Sequence, residues 1–315
     1  MSTTPASVQK KAVFTGHKDC LYTLEKSGDA AIFYSAGGDG VVAQWNINEP
    51  DNGQLLVKVP NSIYSIRLIS DKNSLLVGQN FEGIHLIDLD TNTEIASLKI
   101  TNSHIFDIQV SRNQAFIACG DGEVVILDLE NFRVIQTLNP SSKSARCIAI
   151  NPMVNEFIVG FSDCYIRSFS LTDYSLQKEW LAHDNSVFSV SFTTDFRYLV
   201  SASRDAHIKI WDTWSHYELQ QAIVAHIYAI NSLAFSPDGK IFATASMDKS
   251  VKLWDTEQWK LLKVLDKSRH AGHAPDGQAG HQTVEAGLSA EIDRRHNLSC
   301  DEVRSLAWRI TARTR

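Results

Sequence analysis

Long apolar runs are missing from this sequence of 315 residues. No stretch approaches the roughly 18 consecutive apolar residues of a membrane-spanning helix, and the first residues, MSTTPASVQKK, lack the apolar segment of a secretory signal. A basic excess is missing too, because 36 acidic residues outnumber 30 lysines and arginines and the net charge is −6. These absences argue against a membrane protein and against a general nucleic-acid surface, which needs a basic face.

Cysteine is scarce. The five cysteines are scattered along the chain: Cys20, Cys119, Cys147, Cys164 and Cys300. An odd, scattered set fits buried thiols in a reducing compartment better than a disulfide framework, so we expect a cytoplasmic protein. The hydrophobic fraction of 43% and the charged fraction of 21% are ordinary for a soluble globular chain.

The motifs of common enzymes are also missing. There is no GxxxxGK phosphate loop, and GGDG at 37–40 and CGDG at 119–122 are typical of hairpin turns. The segment 88–92 begins like a calcium loop but lacks the glycine and the closing glutamate of one. Four histidines near the C-terminus could gather around a metal, but no cysteines or helix fix their spacing, and a polar loop is the simpler interpretation. They are His270, His273, His281 and His296. We therefore expect no catalytic residue, no metal and no cofactor.

Three segments of the chain repeat one pattern. The clearest, from His183, reads HDNSVFSVSFTTDFRYLVSASRDAHIKIWD. Its short alternating runs, separated by turn-forming residues, predict a three-stranded antiparallel meander. In each copy a histidine precedes a tryptophan by 28 positions, an aspartate precedes it by 6, and a hydroxyl residue lies 4 before the aspartate. The three sets are His17, Ser35, Asp39, Trp45; His183, Ser201, Asp205, Trp211; and His226, Thr244, Asp248, Trp254.

At this spacing, GH…WN in the first copy and AH…WD in the other two resemble the WD-repeat β-propeller family. Weaker copies have Ile87, Leu127 and Phe169 in the tryptophan slot, with steps of 40 to 43 residues between slots. A seventh copy is suggested by Trp308. The resemblance implies an all-β fold, a seven-bladed β-propeller of four-stranded antiparallel blades.

The resemblance covers essentially the whole chain and implies one domain. We expect residues 1–8 to be a flexible tail and 9–315 a single propeller, whose divergent last blade is closed by a strand at Lys10–Thr15 that pairs near residue 300. The repeats lie near 16–59, 60–99, 100–139, 140–182, 183–225, 226–265 and 266–315. The last repeat has charge where apolar alternation is needed, so a sequence altered relative to its ancestor is a second interpretation.

In the family, the repeated polar set is structural. The indole N–H donates to the hydroxyl, the hydroxyl to the histidine, and the histidine to the aspartate. Ser201, His183 and Asp205 also have the residue types of a hydrolase triad, but an active site is not normally built three times. Where the tryptophan is absent the hydroxyl is absent as well, as a buried network that is either complete or omitted requires.

The resemblance also places one residue of each innermost strand at the top rim of the central channel: Tyr22, Tyr64, Phe106, Arg146, Phe188 and Asn231. Arg204 and Met247, each just before a turn aspartate, reach the same face. Aromatic residues at this rim suit stacking on an arginine or holding a lysine by cation–π attraction. The alternative is that they only pack against one another.

We therefore expect a non-catalytic scaffold that binds peptide or protein partners at the top rim. We expect no nucleic-acid or membrane partner and a monomer by itself. An enzyme that uses the central funnel as its active-site pocket and a self-associating structural protein are the alternatives. Convergent titratable residues at the rim would favour the enzyme, but the predicted ring holds one arginine and no carboxylate.

Overall fold

Short β-strands make up nearly all of the regular structure. The computed structural model describes residues 12–266 and 283–284. Strand β1 is Phe14–Thr15. Blade one follows with β2 (Leu21–Lys26), β3 (Ile32–Gly37), β4 (Val41–Asn46) and β5 (Glu49–Lys58). Blade two has β6 (Ile63–Ile69), β7 (Ser74–Gln79), β8 (Gly83–Asp88) and β9 (Thr93–Lys99), with one 3-10 turn at Ser70–Lys72. Blade three has β10 (Ile105–Ser111), β11 (Gln114–Cys119), β12 (Val124–Asp128) and β13 (Arg133–Leu138).

The second half of the chain repeats this arrangement. Blade four has β14 (Ala145–Asn151), β15 (Glu156–Phe161), β16 (Tyr165–Ser170) and β17 (Leu176–Leu181). Blade five has β18 (Val187–Phe192), β19 (Tyr198–Ser203), β20 (His207–Asp212) and β21 (Glu218–Val224). Blade six has β22 (Ile230–Phe235), β23 (Ile241–Ser246), β24 (Ser250–Asp255) and β25 (Leu261–Asp266), and β26 is Thr283–Val284.

Each blade is an antiparallel meander whose strands lie in chain order. The alternation of apolar and polar residues predicts the first three strands because side chains of successive residues point to opposite faces of a sheet. The fourth strand lies at the outer edge and is mostly exposed, as in Arg133–Leu138. The second strand is buried on both faces, as in Gln114–Cys119, because a neighbouring blade packs on each side.

The blades are joined by apolar side chains and by hydrogen bonds between their innermost strands. Tyr34 and Val42 of blade one pack with Val77 and Ile87 of blade two in one buried cluster. At a repeated position, the backbone N–H of one blade donates to a side chain of another. Ile108 N donates to Ser65 Oγ at 3.1 Å, Ile148 N to Asp107 Oδ2 at 2.8 Å and Leu233 N to Ser189 Oγ at 3.2 Å. These contacts hold the innermost strands side by side around a channel.

The prediction of seven blades is wrong. The described residues form six four-stranded sheets and one two-stranded sheet, in which Phe14 pairs with Val284 and Thr15 with Thr283. The N-terminal strand therefore meets the C-terminal part of the chain, but at 283–284 and not near residue 300. The segment TVEAGLSAEIDRRHNLSC lacks the apolar alternation that a four-stranded blade requires.

Phe14 nevertheless completes a core. Its side chain is fully buried and contacts Phe33 and Trp45 of blade one edge-on, at centroid distances of 5.1 and 5.6 Å. The predicted tail at 1–8, the four C-terminal histidines, Cys300 and Trp308 lie outside the described residues. Within the described ranges, no group of three or more potential metal ligands occurs.

No helix of the described residues has the length and apolar character needed to cross a membrane.

Candidate functional site

The repeated polar set forms a hydrogen-bonded chain in blade five. Trp211 Nε1 donates to Ser201 Oγ at 2.9 Å. Ser201 Oγ lies 2.7 Å from His183 Nε2, and His183 Nδ1 lies 2.9 Å from Asp205 Oδ2. The chain crosses the sheet from the third strand to the loop that precedes the first.

The same chain recurs in blades one and six. In blade one, the Ser35 hydroxyl lies 2.7 Å from both Trp45 Nε1 and His17 Nε2, and His17 Nδ1 lies 3.1 Å from Asp39. In blade six, Thr244 Oγ1 lies 2.9 Å from the Trp254 indole nitrogen and 2.8 Å from His226, which lies 2.8 Å from Asp248. Ser35, Ser201 and Thr244 are all fully buried, so none of these hydroxyls can reach a substrate.

The electrostatics of this set suit a structural role. Burial raises the pKa of the Asp205 carboxyl, but the hydrogen bond and the charge of His183 outweigh it and lower that pKa overall. Burial lowers the pKa of His183. Asp205 also accepts the backbone N–H groups of Asp184 and His207. The carboxylate thus ties the loop before the blade to the hairpin turn within it.

Blades three and four keep a shortened version of the set, which the sequence analysis missed. Thr101 Oγ1 donates to Asp121 Oδ2 at 2.9 Å, and Ser141 Oγ donates to Asp163 Oδ2 at 2.7 Å. Both hydroxyl residues hold the histidine slot of their repeat. The 40- to 43-residue step between slots could have found them, because their spacing from the aspartates nearly matches that of the histidines.

At the rim, five of the eight predicted residues contact one another in a continuous ladder. Tyr22 meets Tyr64 edge-on at a centroid distance of 4.5 Å. Tyr64 and Phe106 lie 5.7 Å apart with planes 19° from parallel. The guanidinium carbon of Arg146 lies 3.7 Å from the centroid of Phe106 and 4.7 Å from that of Phe188. The ladder runs from blade one to blade five, and we call it the aromatic ladder.

The other three predicted residues lie on blades five and six. Asn231 is buried, Arg204 is exposed, and Met247 is 41% exposed. The Arg204 backbone N–H donates to Ser186 O and that of Met247 to Ala229 O. These bonds hold the turns of both residues against the loop before the innermost strand.

Two rim residues were missed by the sequence analysis. His104 stacks on Tyr64 at 5.5 Å and on Phe106 at 5.4 Å, and Phe81 meets it edge-on at 4.7 Å. Burial and the nearby Arg146 charge lower the pKa of His104. Phe81 is 46% exposed and holds the aspartate slot of blade two. The signal that could have found it is an aromatic residue at a turn where the other repeats have aspartate.

The chemistry of the aromatic ladder is that of a binding surface. It offers ring faces, two phenol hydroxyls and one guanidinium. Burial and the neighbouring Tyr64 raise the pKa of Tyr22 to about 12, so its hydroxyl stays neutral near pH 7. No carboxylate belongs to the ladder.

A family model described as WD domain, G-beta repeat matches residues 8–46, 174–212 and 217–255. The chain is a WD-repeat protein. Each matched range ends just after a tryptophan that closes a complete hydrogen-bonded chain. The last two ranges begin before the outer strand of the preceding blade, so in this WD-repeat protein the sequence repeat is offset by one strand from the blade.

Three curated proteins are similar to this WD-repeat protein. "Protein groucho" of Drosophila melanogaster is 24% identical over 205 residues, which cover 62% of this chain and 28% of that protein. "Transcription factor unc-37" of Caenorhabditis elegans is 25% identical over 219 residues, 65% of this chain and 35% of that protein. "Transducin-like enhancer protein 2" of Mus musculus is 23% identical over 247 residues, 63% of this chain and 32% of that protein. The matches thus cover only about a third of the length of these relatives.

Proposed function

We propose that this WD-repeat protein is a non-catalytic scaffold that binds a peptide segment of a protein partner at its top rim. The aromatic ladder is the observation that carries the proposal. Its rings are held by one another and by Arg146, so little side-chain freedom remains to be lost when a partner binds. Tyrosine, phenylalanine and arginine are also residue types that interfaces favour.

Exposed apolar side chains near the rim support the same surface. Phe81 and Met247 lie at hairpin turns of the top face, and Ile227 and Tyr228 lie in the loop that leads into blade six. Ile227 is 79% exposed and Tyr228 is 61% exposed. Single exposed apolar residues are ordinary on a protein surface, but several on the face that carries the ladder favour a binding role.

The similar proteins bear on the class of partner. One of them is named a transcription factor, and a protein of that kind works through other macromolecules. Since the chain is acidic overall, we favour protein partners over nucleic acid. The cytoplasmic location expected from the cysteines stays a prediction.

A peptide library tests the proposal. The full chain would be used to select from displayed random peptides of about twelve residues, and the enriched peptides would be titrated against variants. We expect Tyr64→Ala and Phe188→Ala each to weaken binding at least about tenfold, as loss of an interface aromatic does. Met153→Ala is the matched control, because Met153 is 76% exposed at the turn on the opposite end of the innermost strand.

Two results would overturn the proposal. One is a selection that enriches no peptide. The other is a set of peptides that bind the rim variants as tightly as the unaltered chain. Light scattering on the same samples addresses the alternative of a self-associating structural protein, which predicts a mass that grows with concentration.

A further inference from the structure

A cavity of about 600 Å³ occupies the end of the channel opposite the aromatic ladder. We call it the lower cavity. Its walls include the second halves of the innermost strands of all six blades, and also Ile32, Phe33 and Ile47 of blade one. The cavity therefore spans the channel and extends outward along blade one. Small-molecule sites have volumes of roughly 300–1,000 Å³. The rim function does not use this space.

Six residues at equivalent positions of the innermost strands form one layer of the cavity wall, with long polar side chains on one side and small side chains on the other. Each innermost strand contributes one residue to it, at a step of 40 to 43 positions: Glu25, Arg67, Gln109, Ala149, Ser191 and Ala234. Blades one to three place long polar side chains here, whereas blades four to six place small ones. The small side chains leave the room that the cavity occupies.

The polar side is held in place by hydrogen bonds. Arg67 Nε donates to Ile108 O at 2.9 Å, and Arg67 Nη1 lies 3.4 Å from Glu25 Oε1. The same Glu25 oxygen accepts Leu68 N at 3.3 Å. Within the described residues, the guanidinium makes no other hydrogen bond, although it carries further N–H donors. Arg67 is thus fixed in position, and some of its guanidinium N–H groups can still donate to a ligand.

The charges around the cavity do not balance. Among the described lining residues, Arg67 and Lys26 are cationic and Glu25 is anionic, which leaves one excess positive charge. Beyond this layer the wall includes the apolar Phe192 and Phe235 together with the hydroxyl residues Thr193, Thr194 and Ser236. A cation at the edge of a partly apolar space fits a molecule with an apolar body and one negative group.

We propose that the lower cavity binds a small amphipathic carboxylate. The carboxylate lies against Arg67, which can donate two parallel N–H bonds to it. The apolar body lies between Phe192 and Phe235, in the space that Ala149, Ser191 and Ala234 leave open.

Calorimetric titration of the full chain with decanoate tests this proposal. We expect measurable binding by decanoate concentrations of about 1 mM and none for decyltrimethylammonium, which carries the opposite charge. Ser191→Phe fills the side with the small side chains and should weaken decanoate binding at least about tenfold. Ser97→Phe, at an exposed position of the outer strand β9, is the matched control and should bind as the unaltered chain does.

A second variant isolates the head group. Glu25→Gln combined with Arg67→Gln keeps both side chains polar and removes both charges. It should bind decanoate at least about tenfold more weakly and decanol unchanged. No binding by the unaltered chain, equal binding by Ser191→Phe, or equal decanoate binding by the double variant would each overturn the proposal. The peptide experiment addresses the other end of the channel, so either proposal can fail without the other.

Discussion

The guanidinium carbon of Arg146 lies 3.7 Å from the centroid of the Phe106 ring, and both residues come from the innermost strands of adjacent blades. From the sequence alone, we expect the rim aromatics to attract an arginine or lysine of a partner. The chain itself supplies a cation at this point instead. The rim therefore offers a stacked surface and not an empty aromatic cage.

Replacement of Arg146 by glutamine should change both stability and a neighbouring titration. The lost cation–π contacts should lower the free energy of unfolding by about 0.5–2 kcal/mol, measured by urea denaturation. The pKa of His104 should rise towards its ordinary value, because the Arg146 charge lowers it together with burial. Titration by NMR would show this. Arg133→Gln, at an exposed position of β13, is the control, and an unchanged His104 pKa in Arg146→Gln would contradict the assigned contact.

Removal of the Ser201 hydroxyl should be costly. Ser201→Ala leaves the buried indole nitrogen of Trp211 and a nitrogen of His183 without their partner, and each unsatisfied group costs about 1–3 kcal/mol. We expect a loss of about 2–5 kcal/mol in the free energy of unfolding. Thr101→Val is the comparison, because its partner Asp121 is exposed and water can replace the hydroxyl, so the loss should stay below about 1 kcal/mol. Equal losses would argue against the buried chain as the source of stability.

Acid should destabilise the protein. The pKa of Asp205 and that of His183 are both lowered in the folded state. The unfolded state therefore binds more protons than the folded state as the pH falls, first below about 6.5 for the histidine and then below about 4 for the aspartate. Urea denaturation at pH 7, 5 and 3.5 should show a falling free energy of unfolding. Asp205→Asn should flatten the part of the curve below pH 4, and an identical curve for this variant would contradict the assignment.

Blades four and five pack too closely at Gly160 to admit a side chain. A Cβ there would lie 2.7 Å from Cys147 Sγ and 2.8 Å from Val187 Cγ1. Gly160→Ala should lower the free energy of unfolding by about 1–3 kcal/mol through overpacking. Gly28→Ala is the control, because a Cβ at Gly28 meets nothing within 4 Å, and its effect should stay within about 0.5 kcal/mol. Equal melting temperatures for the two variants would contradict this account.

Much of the fold could be predicted from the sequence. The alternation in SVFSVSF, RYLVSAS and HIKIWD predicts β18, β19 and β20, and the structure has strands at those places. The blade count could not be predicted, because Trp308 with His281 27 positions before it resembles a repeat, and that resemblance does not depend on whether the strands between them can form. The shortened polar sets of blades three and four were not predicted. A threonine or serine in the histidine slot is too common to indicate a hydrogen bond until the structure places it against Asp121 or Asp163.

By itself, the sequence determined the repeat, the strands within each repeat and the residues that could form a hydrogen-bonded chain. Those features depend on local alternation, on turn residues and on spacing, which act over a few residues. Only the tertiary structure decided that Arg146 lies between Phe106 and Phe188, that His104 joins the ladder, and that small residues on three blades face Glu25, Arg67 and Gln109. Most of these contacts join residues about 40 or more positions apart, and their geometry depends on how whole blades pack against one another.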